Sequence, residues 1–142
     1  MKNQFTRALK TIGLATLLSG LSATTWAGHH LGVKGVDQDV SGGTVSAKMI
    51  MAADNGWMVV HRTDKAMKPG PVVGYAPVKK GNNNDVTAIL MEPIKSGEML
   101  MLMLHGEAGG MKTGVFEYTL GAKEDGPVRE NGKLVMDVIT AK

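Results

Sequence analysis

Cysteine is absent from this 142-residue sequence. The fold therefore holds together without disulfides, carries no lipid on a leader Cys and has no thiolate for a blue-copper centre. Aromatic residues are scarce at 4%, so the core must be mainly aliphatic. No nucleophile elbow, phosphate loop or zincin motif is present. Gly106-Glu107-Ala108-Gly109-Gly110 is Gly-rich but follows a strand pattern with no helix after it, which argues against a phosphate cradle. Ser41, Ser46 and Ser96 have no recognisable base nearby in sequence. These absences point to a non-enzyme that acts by binding.

The first 27 residues read as a secretory signal peptide: Lys2, Arg7 and Lys10, an apolar run from Ile12 to Leu21 broken by Gly20, then Thr25-Trp26-Ala27 as a small-residue cleavage site. The apolar run is too short for a membrane span. Removing 27 of the 142 residues leaves 115, one ordinary domain over residues 28–142, periplasmic or secreted. Three of the 16 Lys+Arg lie in the leader and none of the 13 Asp+Glu do, so the mature chain has 13 bases and 13 acids. That balance offers no basic footprint for nucleic acid.

From Leu31 onward, short alternating segments separated by turn signals about every ten residues predict an all-β fold. The expected architecture is an antiparallel β-sandwich of about eight strands, Ig-like or cupredoxin-like. The strands are expected at Leu31–Val40, Thr44–Ala52, Trp57–His61, Pro71–Val78, Val86–Met91, Met99–His105, Val115–Leu120 and Leu134–Thr140. Ser41-Gly42-Gly43 and Ala53-Asp54-Asn55-Gly56 are expected as turns, Arg62–Gly70 and Lys79–Asp85 as loops.

Glu98-Met99-Leu100-Met101-Leu102-Met103-Leu104-His105 is the most distinctive stretch. Alternation places Met99, Met101, Met103 and His105 on one face and the three leucines on the other. Both faces are apolar, so the strand is expected to be covered on both sides. The methionines are read as packing, with Trp57, Phe116 and Tyr118 as large anchors of the core.

The order Asp54-Asn55-Gly56-Trp57-Met58-Val59-Val60-His61, Pro69-Gly70-Pro71-Val72-Val73-Gly74, Leu104-His105-Gly106-Glu107, Gly114-Val115-Phe116-Glu117-Tyr118, Pro127-Val128 and Asn131-Gly132 resembles DUF7282, a family of small exported domains. Gly-Trp-x-Val-Val-His and Leu-His-x-acid-x-Gly are its most specific elements here. Glu107 stands where the family more usually carries Asp. The resemblance implies an exported β-sandwich and no particular activity.

Chemistry in such a chain rests on His29, His30, His61 and His105 and on the methionines. Thioether and imidazole in an exported protein point to copper. Cleavage after Ala27 would begin the mature chain Gly28-His29-His30, where the amine, two deprotonated amides and the third-position imidazole suit square-planar Cu(II). A one-residue shift of cleavage removes that site. Alternating strand direction places His105 and the loop bearing Met111 at the same end, so Gly28, His29, His30, His105 and Met111 form the expected copper site. By the same parity, His61 and His105 end strands at opposite ends and are not expected to share a metal. The alternative is a structural or adhesive module that takes protein partners through its strand edges and binds no metal.

Overall fold

Strand β6, Met99–Gly106, pairs antiparallel with β3, Gly56–Thr63, on one side and with β9, Met136–Thr140, on the other. The structure, a computed structural model, describes residues 30–142. The expected signal peptide, Gly28 and His29 lie outside those residues. The other strands are β1 (Gly32–Lys34), β2 (Thr44–Ala52), β4 (Val72–Val78), β5 (Gly81–Leu90), β7 (Arg129–Glu130) and β8 (Lys133–Leu134). The main sheet has seven antiparallel strands in the order β1-β2-β5-β4-β3-β6-β9, and β7-β8 form a separate hairpin. The fold is all-β. No helix among the described residues is long and apolar enough to cross a membrane.

The sheet curls until its two edges nearly meet. After β1 the chain leaves β2 and crosses to β9, where Gln38 bridges Ala141 in parallel and Lys142 N–H donates to the Gln38 carbonyl at 2.9 Å. Side chains complete the seam: the Asp137 carboxylate accepts Gly35 N–H and the Asp37 carboxylate accepts Thr140 N–H, both at 2.8 Å. The crossing needs glycine at position 35, because a Cβ there would lie 2.6 Å from Ile139 Cγ2. This is why the expected Leu31–Val40 strand is regular only over Gly32–Lys34.

Alternation divides β6 as its sequence predicts. Leu100, Leu102 and Leu104 join Val45, Ala47, Ile50, Met58, Val60 and Ile139 in the enclosed core. Met99, Met101, Met103 and His105 lie on the outer face, alongside Trp57, Val59 and His61 of β3. That face is covered as well, for Met101, Met103, His61 and His105 are all fully buried.

The cover is residues 107–128, where the expected strand Val115–Leu120 proves to be a loop. Phe116 and Tyr118 both pack on the sheet, but Leu120, which strand alternation would place on the same side, is exposed, as is Val115. Among the described residues this segment has no neighbouring strand to pair with, and Glu117 N–H goes to the Asp125 carboxylate instead, at 2.8 Å. Trp57, Phe116 and Tyr118 therefore anchor this outer layer, not the enclosed core. Conversely, the expected loop Lys79–Asp85 mostly belongs to β5, with Asn82, Asn83 and Asn84 opposite Met51, Ile50 and Met49. Its polarity reflects an exposed strand whose Asn83 amide donates to the Lys79 and Gly81 carbonyls. Asn131-Gly132, both at positive φ, turn β7 into β8 as that dipeptide favours.

Candidate functional site

On the outer face, β3 and β6 run antiparallel with Trp57 opposite His105, Val59 opposite Met103 and His61 opposite Met101. The two histidines therefore root at opposite ends of this short ladder, as strand parity requires. Their rings nevertheless reach toward each other over Val59 and Met103, and the Nε2 atoms stand 3.3 Å apart. The expectation that they stay apart fails because an imidazole lying along a sheet spans most of two residues. The centroids are 5.4 Å apart and the planes 28° from parallel, so the rings meet edge to edge through nitrogen rather than face to face.

The opposite nitrogens settle the tautomers. His61 Nδ1 lies 2.7 Å from the Gly70 carbonyl and His105 Nδ1 lies 2.7 Å from the Asp125 carbonyl. A carbonyl oxygen only accepts, so each Nδ1 carries the proton and donates it. In the neutral rings both Nε2 atoms then present lone pairs to one another. A hydrogen bond between them would need one ring to become imidazolium, and burial opposes that. Burial holds His61 below the ordinary histidine range, against the opposing effect of the Gly70 bond. His105 is pushed down to about 4, chiefly by burial with a lesser contribution from the neighbouring His61, while the bond to Asp125 and that residue's charge work in the other direction.

Both carbonyls are positioned by tight local structure. A Cβ at Gly70 would lie 2.7 Å from the Arg62 carbonyl, so glycine allows this loop to fold back on β3. Asp125, itself buried at positive φ, uses its carboxylate to bind Ala108 N–H at 3.2 Å as well as Glu117 N–H. Around the pair gather all four aromatic residues that follow Ala27 in the sequence. Tyr118 stands edge-on to His105 at 4.5 Å and to His61 at 5.9 Å, and Phe116 packs on Tyr75 at 4.4 Å and on Trp57 at 5.5 Å. Trp57 Nε1 is buried with no hydrogen-bond acceptor among the described residues.

Of the expected N-terminal site, Gly28 and His29 lie outside the described residues, and His30 and Met111 are not part of the buried pair. The His30 side chain is 88% exposed, with Nδ1 3.6 Å from a Glu130 carboxylate oxygen, and Met111 is 91% exposed on the covering loop. His105 is turned inward to His61, away from the solvent in which those two side chains sit. Among the described residues no group of three or more His, Cys, Asp or Glu is arranged to hold a metal ion. The histidine pair with its thioether neighbours is a different donor set, one that strand parity in the sequence argues against. The available signal was facial parity: His61 shares a face with Trp57 and Val59, and His105 with Met101 and Met103.

No curated protein and no solved structure matches the chain. The model of DUF7282, a domain of unknown function, matches residues 32–142, and the chain belongs to that family.

Proposed function

We propose that this protein is an exported binding module whose ligand is a metal ion, taken between His61 and His105 beneath the covering loop. The observation that carries the reading is the pair of Nε2 lone pairs facing each other across 3.3 Å, fully buried. A buried acceptor without a donor costs about 1–3 kcal/mol, and a cation between the two would turn that penalty into two bonds. Metal-ligating histidines characteristically donate their other N–H to a carbonyl or carboxylate, which fixes the tautomer. The Gly70 and Asp125 carbonyls supply that arrangement here. The leader pattern and the lack of a catalytic motif support export and binding over catalysis.

Native mass spectrometry of the mature protein, loaded separately with Ag(I), Cu(I) and Zn(II) and then desalted, tests the reading. One retained ion per chain is expected with at least one of these metals. Retention should be lost in both His61→Ala and His105→Ala, with far-ultraviolet circular dichroism confirming that each variant folds. Two-dimensional NMR of ¹⁵N-histidine protein gives a check without variants, since loading should shift Nε2 of both rings and leave Nδ1 protonated. If no metal is retained, or if both Nε2 signals stay fixed on loading, the metal reading fails and a module acting through protein partners takes its place.

A further inference from the structure

We infer that the ion is monovalent copper, held by His61 Nε2, His105 Nε2 and the Met103 thioether. This rests on the metal-binding reading above and adds the identity of the ion and a third ligand. The first argument is geometric. An ion on the line between nitrogens 3.3 Å apart would be closer to each than a metal–imidazole bond of about 2.0 Å allows. It must therefore sit to one side of that line, with a bent N–metal–N angle that leaves room for another donor. Of the β3 and β6 side chains on this face, Val59 and Met103 root between the two histidines, and only Met103 carries a donor atom. Met101 roots beyond the gap, opposite His61.

The second argument concerns charge. Two neutral imidazoles and a thioether bring no negative charge, and the residues packed over them are Phe116 and Tyr118. The Asp125 carboxylate is occupied by Ala108 and Glu117 N–H groups. The cost of moving an ion from water into such surroundings rises as the square of its charge, so a divalent ion pays four times the penalty of a monovalent one, with only the charge of the already occupied Asp125 carboxylate nearby to offset it. Coordination number points the same way. Zinc takes four ligands in structural sites and keeps a water in catalytic ones, whereas this buried site offers three donors. Thioether sulfur is soft and selects Cu(I) among the copper and zinc ions.

Competition for Cu(I) against a chromophoric chelator under reductant, with Ag(I) as the air-stable probe, tests the inference on the mature protein. Trp57, which faces His105 across the ladder, supplies a fluorescence readout of loading. Retention of Cu(I) and Ag(I) in preference to Zn(II) is expected. Met103→Leu should weaken Ag(I) binding roughly tenfold or more, while Met101→Leu leaves it essentially unchanged. The Met103 Cε methyl resonance should shift on Ag(I) loading, a readout independent of any variant. If Zn(II) binds the histidine pair as tightly as Ag(I), or if Met103→Leu binds Ag(I) as the parent does, this inference falls while the metal-binding reading stands. If neither ion shifts the two Nε2 signals, both fall.

Discussion

Asp125 holds His105 and the covering loop with different atoms: its backbone carbonyl accepts the His105 Nδ1–H at 2.7 Å, and its carboxylate accepts the N–H groups of Ala108 and Glu117. One residue therefore fixes the tautomer of a ring in the sheet and the path of the chain that buries it. Asp125→Ala should remove two buried acceptors at a cost of about 1–3 kcal/mol, with added strain because the position has φ 45° and Ala tolerates that region poorly. Urea unfolding followed by Trp57 fluorescence measures the loss. Amide hydrogen exchange should rise across 107–121 first, and unchanged exchange there would show that the carboxylate does not hold the cover.

The two faces of β6 should respond differently to substitution. Leu102 is fully buried in the enclosed core, and Leu102→Ala should cost about 2–5 kcal/mol from lost transfer energy and the cavity left behind. Met103→Leu conserves volume and should cost under about 1.5 kcal/mol. A comparison of the two in urea decides whether the outer methionines are replaceable as packing, as the metal inference requires.

Much of the fold was legible because β2, β3 and β6 obey simple alternation between turn signals. β2 was expected at Thr44–Ala52 and is found there. Legibility failed where side chains do the work of a ladder. Phe116 and Tyr118 form an aromatic strip packed on a sheet, and nothing local says that Asp125, rather than a neighbouring strand, accepts the Glu117 N–H. The Asn run of β5 reads as a loop because its polar side chains are exposed or bonded to backbone. For the site, the shared face of His105 and the methionines was readable from period two. The meeting of His61 with His105 needed the β3–β6 pairing, which joins residues 44 positions apart, and strand parity alone argued against it.

Stability should fall with acid through the histidine pair. In the unfolded chain histidine titrates near its ordinary value of about 6.5, while burial pushes His105 in the folded chain down to about 4 and also lowers His61. The unfolded state therefore binds more protons between those two pH values, and stability drops as pH falls through that window. The contribution is complete above pH 6.5 and exhausted below about pH 4, with a loss on the order of 3 kcal/mol for His105. Urea midpoints of the metal-free protein at a series of pH values check this. His105→Leu should flatten the slope by about one proton, and a variant with the parent's slope would assign the acid sensitivity to other groups.

Closure of the sheet gives a prediction independent of any ligand. Gly35 sits against Ile139 and Leu102, and its N–H is bound by Asp137. Gly35→Ala should force those core side chains aside at a cost of about 1–3 kcal/mol, and Asp137→Ala should weaken the same seam by leaving that N–H unpaired. Because both changes act on one crossing, their combined effect in a double-mutant cycle should be smaller than the sum of the two. Strict additivity would mean that the glycine and the carboxylate stabilise separate parts of the fold.

The N-terminal copper site expected from Gly28-His29-His30 should be separable from the buried pair. It needs a free amine after cleavage at Ala27 and an exposed third-position imidazole, and His30 is exposed. Its nitrogens suit Cu(II) in a planar field, whereas the buried pair with Met103 is assigned to Cu(I). A mature protein that begins at Gly28 should therefore give a visible Cu(II) absorption band that disappears in His30→Ala and in a variant with one extra N-terminal residue. Neither change should alter Ag(I) retention, and His105→Ala should leave the Cu(II) band intact. If His105→Ala abolishes the band as well, the terminal and buried histidines act on one ion, and the separation of the two sites is wrong.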